Sequence, residues 1–169
     1  MRITSDGRLL IGKTSADTGV VGIQTRNDGL IACTRDGDLA GIFNRKTSDG
    51  SIVEFRKDNN GVGSISVTAS ATAYNTSSDQ RLKENIVDAP SASDDIDAIQ
   101  VRSFDWKADG SHQKYGMVAQ ELQSVAPEAV TGDADSDDMM GVDYSKLVPM
   151  LVKEIQSLRA RVAQLEGAN

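Results

Sequence analysis

An acidic run in the C-terminal third of the chain has the most obvious metal chemistry. Asp133, Asp135 and Asp137 alternate with small residues, as in the opening of a calcium loop. An EF-hand loop also needs glycine at its sixth position and a bidentate glutamate at its twelfth. Those positions are Asp138 and Tyr144 here. The spacing therefore excludes an EF-hand and favours a solvated acidic loop without a metal.

Soft metal ligands and disulfide partners are scarce. Cys33 is the only cysteine and His112 the only histidine among 169 residues. One thiol cannot form an intrachain disulfide, and two soft ligands are too few for a structural zinc site. His112 follows a turn at Asp109-Gly110 and is expected to be exposed, so a histidine-based catalytic triad is disfavoured. We predict neither a metal nor another cofactor.

A serine and a lysine, Ser78 and Lys83, lie five positions apart in the run S-D-Q-R-L-K-E-N-I at residues 78–86. A serine or aspartate ahead of R-L-K-E is typical of a helix N-cap. From these residues alone, capping is the simplest interpretation of the run.

The chain changes in charge and texture near residue 77. Residues 1–77 contain nine Lys+Arg and eight Asp+Glu, whereas residues 78–169 contain nine and 17, a net charge of −8. The whole chain carries −7 at pH 7, which argues against binding to nucleic acid or to an anionic membrane. No apolar run approaches the ~20 residues of a membrane span, and the N-terminus lacks signal-peptide order. We predict two domains, residues 1–77 and 78–169.

Short alternating apolar runs, separated by Asp-Gly and Asn-Gly turns, predict strands in the first domain. The predicted strands are residues 8–11, 30–34, 39–44, 51–56 and 64–68, and one of the turns is at residues 60–61. Phe43 and Phe55 are the only phenylalanines of this domain, and no amphipathic helix is available to cover a sheet. A lone meander of this kind is marginal, and association of identical chains about one axis would supply a core. We interpret the domain as a β-rich, intertwined fibre, with a compact monomeric β-sandwich as the alternative.

The second domain mixes helical and strand patterns, which indicates an α+β fold. A short helix is predicted over residues 93–99, strands over 101–106 and 115–119, and one or two helical turns over 120–125. Phe104 and Trp106 share one strand face and are interpreted as core or interface residues.

A long C-terminal helix is predicted over about residues 144–166. Its apolar residues are spaced three and four apart, and they are Val148, Leu151, Ile155, Leu158, Val162 and Leu165. This a/d pattern predicts a coiled coil, and we expect the partner helices to come from other chains because the stripe runs almost to the C-terminus. Arg159 and Arg161 flank the stripe and are expected to form interchain ion pairs. The pattern alone leaves the number of chains open.

Three motifs, in order, make the second domain resemble a known family. They are the run at residues 78–86, Y-G-M-V-A-Q-E at residues 115–121 and V-D-Y-S-K-L-V-P at residues 142–149. Together with the heptad helix, they resemble the C-terminal intramolecular chaperone, or auto-processing, domain of phage tail spikes and fibres of the endosialidase type. The resemblance implies a homotrimer, in which this domain aligns three chains so that the preceding β-fibre folds in register. Residues 1–77 would then be a trimeric fibre tip.

The resemblance also implies self-cleavage between Ser77 and Ser78, with Ser78 as the nucleophile and Lys83 as the base. A lysine accepts a proton only when it is neutral, so its reference pKa of about 10.4 has to fall. Burial, or a neighbouring cation such as Arg81, would lower it. We expect assembly of the trimer to provide that burial.

Supporting residues for this reaction are less well defined. Asn85, Asp79 and Arg81 lie in the same run as the implied dyad and are candidates for an oxyanion or supporting role. Backbone N–H groups near residue 79 are an equal alternative for the oxyanion.

Three functions remain open at this point. The chain is expected to be a self-releasing chaperone at the end of a virion tail fibre, assembled in the bacterial cytoplasm with the upstream fibre as its partner. The first alternative is a structural trimerisation module that never cuts. The second is a tip, residues 1–77, that binds a host-surface receptor.

Overall fold

The computed structural model describes residues 1–167. The chain divides after Glu84 into two compact units. Sheet and helix are both present, which confirms a mixed fold of the α+β kind. Within the described residues, no helix is both long enough and apolar enough to cross a membrane.

Two antiparallel meanders form the first unit, and every strand pairs with its neighbour in the same chain. The first meander consists of β1 (Arg2–Ile3), β2 (Leu9–Ile11), β3 (Gly22–Thr25) and β4 (Ile31–Thr34). The second consists of β5 (Gly50–Lys57), β6 (Asn60–Val67) and β7 (Thr72–Thr76). A 3₁₀ helix, Gln80–Leu82, ends the unit.

Four of the five predicted strands of this unit are present, and the strand predicted over residues 39–44 was wrong. That segment pairs with no other strand, and Leu39, Ile42 and Phe43 are 65%, 78% and 74% exposed. Alternation of apolar residues produces a strand only where a neighbour satisfies the backbone, and none adjoins this segment. The strands β1, β3 and β7 were not predicted.

The turn of the β5–β6 hairpin lies two residues before the predicted one. Asp58 and Asn59 have φ angles of 49° and 66°, and Lys57 pairs with Asn60 across them. A two-residue turn with positive φ at both positions matches the right-handed twist of the strands, and Asp and Asn tolerate that conformation. Asn60 and Gly61, the predicted turn, therefore belong to β6.

The first unit buries very few side chains. Of residues 1–84, only Leu10, Gln24 and Lys13 fall below a tenth exposed, at 1%, 2% and 9%. Lys13 is buried with its ammonium donating to the carbonyls of Asp17 and Val20, at 2.6 and 2.9 Å. Two of the three buried residues are polar, so a single copy has almost no hydrophobic core in this unit.

The second unit alternates short helices with short strand pairs. Its helices are α1 (Ser93–Ala98), α2 (Ala119–Gln123) and α3 (Val148–Gly167), with 3₁₀ turns at Pro127–Ala129 and Tyr144–Leu147. Its strands are β8 (Arg102–Asp105), β9 (His112–Gly116), β10 (Val130–Thr131) and β11 (Gly141–Val142). The acidic run at residues 133–138 is the exposed loop between β10 and β11.

Strand β9 begins three residues earlier than predicted. The hairpin pairs Asp105 with His112 and Phe104 with Gln113, so the strand covers residues 112–116 instead of 115–119. Residues 117 and 118 leave the sheet, and α2 begins at Ala119. The apolar run that suggested residues 115–119 is therefore divided between a strand end and a helix start.

A compact cluster forms the core of the second unit. Its buried members are Leu122, Ala126, Ala129 and Leu147, all at most 5% exposed. The side chains that pack against it are Ile99, Met117, Val130, Val142 and Met150. The predicted C-terminal helix is present, with its first turn in 3₁₀ form.

Candidate functional site

Ser78 and Lys83 are in direct contact. The Lys83 ammonium, Nζ, donates to the Ser78 hydroxyl, Oγ, at 2.8 Å. In a regular α-helix, residues five apart point about 140° away from each other, so helical geometry would not produce this contact. The intervening 3₁₀ turn produces it, with the N–H of Leu82 donating to the Asp79 carbonyl at 3.1 Å and the N–H of Lys83 donating to the Gln80 carbonyl at 3.0 Å.

Asp79, not Ser78, caps this turn. Its carboxylate Oδ1 accepts a hydrogen bond from the backbone N–H of Arg81 at 2.8 Å. The capping interpretation of the run is therefore correct for Asp79 only. The Ser78 hydroxyl is left to interact with Lys83.

The charges beside the Ser78–Lys83 pair are largely compensated. Arg81 donates from Nε and Nη2 to the two carboxylate oxygens of Asp79, at 3.0 and 2.7 Å. The pKa of Asp79 is lowered, first by this side-chain hydrogen bond, then by the Arg81 N–H, with a smaller attraction from Lys83. The pKa of Arg81 is raised by the same pair. Arg81 is therefore paired with Asp79 and is not an isolated cation beside Lys83.

The Ser77–Ser78 peptide bond lies directly after the last strand of the first unit. The N–H of Ser77 donates to the Val62 carbonyl of β6 at 3.3 Å, so the sheet restrains the residue before the bond. The 3₁₀ turn restrains the residue after it. Residues 71–91 are all exposed, and the apolar side chain of Leu82 is 70% exposed. In a single copy, the hydroxyl and the amine are positioned together but lie in water.

Asn85 begins the second unit with a φ of 52°, a left-handed conformation that asparagine tolerates. Its role as an oxyanion donor stays a prediction.

Sequence reasoning missed a second cluster, on the hairpin β8–β9. His112 Nδ1 lies 2.6 Å from Asp105 Oδ1, and His112 Nε2 lies 3.2 Å from Ser103 Oγ. The strand alternation did place Ser103 and Asp105 on one face, opposite Phe104 and Trp106. His112 was expected to be an exposed residue after a turn, and a histidine-based triad was disfavoured, because β9 was predicted to begin at residue 115.

The other face of this hairpin borders an open cleft. Phe104 and Trp106 pack edge to face, with ring centroids 5.3 Å apart, and they line a cavity of about 590 Å³ together with Tyr115 and Tyr144. Gly116 is required beside them, because a Cβ there would lie 2.6 Å from the Phe104 ring. Trp106 is 53% exposed, so a single copy does not bury it as a core residue.

Comparison with known proteins agrees with the motifs. Residues 78–131 match the family described as chaperone of endosialidase, which confirms the resemblance for that segment. The chain is 31% identical to long tail fiber protein Gp37 of Enterobacteria phage T2 over 183 aligned residues, which cover 98% of the chain and 13% of the relative. It is 34% identical to Gp37 of Enterobacteria phage K3 over 97 residues, or 53% of the chain and 8% of the relative. The chain thus spans a small fraction of the length of these relatives.

Proposed function

We propose that this chain, whose residues 78–131 match the endosialidase chaperone family, is the C-terminal region of a phage tail fibre. Residues 78–169 act as a trimerisation chaperone for the preceding β-fibre and then release themselves by cutting Ser77–Ser78. The observation that carries the cleavage proposal is the 2.8 Å contact between Lys83 Nζ and Ser78 Oγ. This distance is short enough for direct proton transfer between the two groups.

The proposed reaction is a single turnover per chain. Neutral Lys83 removes the proton from Ser78 Oγ, which attacks the carbonyl carbon of Ser77. The peptide nitrogen of Ser78 leaves with the proton returned by Lys83, so an ester replaces the amide. Water then hydrolyses that ester, giving a carboxylate at Ser77 and a free amine and hydroxyl at Ser78.

Cleavage is coupled to assembly through burial. The dyad is exposed in one chain, where water stabilises the charged form of an amine. The exposed Leu82, beside Lys83, is an apolar contact for a neighbouring copy. When copies cover this turn, loss of water disfavours the charged amine, and the base forms only in the completed trimer.

The face of α3 that the cluster does not cover supports self-association. Val148, Leu151, Ile155, Leu158 and Val162 are 46–55% exposed along one stripe. A solvated stripe of this kind stabilises a helix only when partner helices cover it. Copies of this chain satisfy that requirement with an identical stripe.

The charges beside the stripe favour a parallel arrangement of the copies. In parallel, in-register helices, a g position lies beside the e position five residues later in the neighbouring helix. Glu154 then meets Arg159, and Arg161 meets Glu166. An antiparallel pair with the same core would match only Glu154 with Arg161. Parallel copies therefore match all four charges.

A chaperone of this kind lowers the entropic cost of bringing strands from different chains together. Strands that share a core between chains face a large loss of entropy before their contacts form, and slipped registers compete. A domain that associates first raises the local concentration of the attached strands. Its later removal makes unfolding kinetically difficult to reverse.

A denaturing gel of the purified full chain tests the cleavage. We expect fragments of residues 1–77 and 78–169, with Ser78 at the new N-terminus by Edman sequencing. Ser78→Ala and Lys83→Ala should leave one intact band. An intact wild-type band from correctly assembled protein contradicts autoproteolysis.

Two matched variants separate chemistry from structure. Lys83→Arg retains the charge and a donor but cannot become neutral, so it should block cleavage without changing the oligomer mass. Ser77→Ala alters the neighbouring hydroxyl only and should still be cut.

The chaperone role is tested by comparing Ser78→Ala full chain with residues 1–77 alone. Only the full chain should sediment as a trimer.

The alternatives have distinct outcomes in these experiments. A non-cleaving trimerisation module gives a trimer without fragments. A receptor-binding tip in residues 1–77 is compatible with either result and would be detected as binding of the assembled protein to host cells. The names of the Gp37 relatives support a tail location as part of this proposal, and assembly in the host cytoplasm is also proposed.

A further inference from the structure

The hairpin β8–β9 aligns three side chains with the connectivity of a serine–histidine–aspartate triad. Asp105 lies at Nδ1 of His112, at 2.6 Å, and Ser103 lies at Nε2 of the same ring, at 3.2 Å. Each ring nitrogen therefore has a different partner, with the carboxylate on one side and the hydroxyl on the other. This arrangement is independent of the Ser78–Lys83 pair, which lies in the first unit.

The hairpin register produces the alignment. Asp105 and His112 are directly paired across the strands, and Ser103 lies two residues before Asp105 on the same face. The pairing shifts between Arg102 and Phe104, where β9 contains one extra residue, and Ser103 lies opposite that irregularity.

The Asp105 carboxylate determines which ring nitrogen of His112 carries the proton. An ionised Asp105 can only accept hydrogen bonds, so the proton of a neutral His112 ring lies on Nδ1. Nε2 is then an acceptor, and the Ser103 hydroxyl donates to it. This is the ground-state arrangement in which a histidine can remove a serine proton.

We propose that Ser103 is a second nucleophilic hydroxyl of this protein, which takes acyl groups from carboxylic esters. Ser103 Oγ forms a bond to the ester carbonyl carbon as its proton moves to His112 Nε2. The ester C–O bond breaks, and the leaving alcohol takes that proton. Water, deprotonated by the same ring, then releases the carboxylic acid and restores Ser103.

Exposure determines the size of the expected effect and the kind of ester. The His112 and Asp105 side chains are 62% and 69% exposed, so water is not excluded from these side chains or from Ser103 beside them. Small, unhindered esters can therefore reach Ser103 directly. A positioned base contributes about 10²–10⁴ in enclosed sites, and we expect about tenfold in this open one.

Hydrolysis of p-nitrophenyl acetate by the full-length Ser78→Ala chain tests the proposal. The Ser78→Ala background removes the other candidate nucleophile, so the result does not depend on autoproteolysis. Ser103→Ala and His112→Ala should each lower the protein-dependent release of p-nitrophenolate about tenfold. Asp105→Asn should give an intermediate loss, because the ring is no longer oriented by a carboxylate. An unchanged rate in Ser103→Ala overturns the proposal.

A control serine lies on the same hairpin. Ser111 donates to Asp109 at 2.7 Å, so it has a carboxylate partner but no histidine in that bond. Ser111→Ala should hydrolyse the ester at the parent rate, and an equal loss there would overturn a specific role for Ser103.

Covalent labelling gives a second readout that does not depend on turnover. A fluorophosphonate probe followed by trypsin should modify the peptide of residues 103–107, S-F-D-W-K, in which Ser103 is the only hydroxyl. The label should disappear in His112→Ala. Failure to label this peptide in folded protein overturns the proposal even if some esterolysis is observed.

Discussion

The two units of the chain differ in what a single copy can bury. The first unit buries Leu10 with two polar residues, Gln24 and Lys13, whereas the second encloses a continuous apolar cluster around Leu122 and Leu147. A unit with its own core can fold before it meets other copies, and a unit without one gains its stability from association. The contrast supports an order of events in which the C-terminal unit folds first.

The same contrast recurs on opposite faces of α3. One face packs within the chain, where Met150 contacts the buried cluster around Leu122 and Leu147. The other face presents the stripe, including Ile155 and Leu158, at about half exposure. One helix thus has a face that packs on its own unit and an apolar face that is half exposed in a single copy.

The largest expected effect comes from a charge in the stripe. Leu158→Asp introduces a carboxylate at a d position, where burial against other helices would leave it unpaired. We expect the sedimenting species to change from the proposed trimer to a monomer, while the far-ultraviolet circular dichroism of the monomer is preserved.

Ala160→Asp is the matched control for that change. Ala160 is two residues along the same helix, is exposed and lies at an f position away from the stripe. The trimer should survive there. Equal masses for the two variants would contradict an interface formed by the stripe.

A smaller effect is expected from the core of the second unit. Leu122 is 3% exposed, and Leu122→Ala should lower the free energy of unfolding by about 2–5 kcal/mol through lost burial and a residual cavity. The single tryptophan, Trp106, lies in this unit, so its fluorescence during urea unfolding reports on that unit. Measurements in the Leu158→Asp background exclude the contribution of assembly.

Met139→Ala provides the comparison for an exposed apolar side chain. Met139 is 93% exposed in the acidic loop, and its truncation should change the free energy of unfolding by less than about 0.5 kcal/mol. Similar losses for Leu122 and Met139 would mean that the cluster does not stabilise the single copy.

The smallest effect concerns an ion pair on the surface of the second unit. Arg102 donates to both carboxylate oxygens of Glu121, with a shortest distance of 2.7 Å, and this hydrogen bond holds the pKa of Glu121 below its ordinary 4.5. Folded protein then binds fewer protons than unfolded protein, so the stabilisation is complete above pH 4.5 and declines as pH falls through the lower folded value. Urea unfolding of wild type and Glu121→Gln should differ at pH 6 and converge near pH 3.

Glu128→Gln serves as the comparison for this pH dependence. No ion pair involves Glu128 within residues 1–167, so its difference from wild type should not change across the same range. A parallel pH dependence in both variants would show that Glu121 has no special role.

Local patterns predicted much of the second unit and part of the first. The three-and-four spacing from Val148 to Leu165 predicted α3, because helical periodicity is contained within the segment itself. The alternation at residues 51–56 predicted β5 for the same reason. Over residues 39–44 the alternation failed, because a strand also requires a neighbouring strand, which the segment does not encode.

The candidate site, like the fold, was predicted only in part from the sequence. The run at residues 78–86 determined that a hydroxyl, an amine and a capping residue lie close along the chain, and the motif order determined the family resemblance. Only the folded structure decided that Asp79 is the cap, since a 3₁₀ turn and an α-helix share the same start residues and differ in hydrogen bonding. Only the pairing across the β8–β9 hairpin brought His112 between Asp105 and Ser103, because a one-residue change of register would turn the ring to the opposite face.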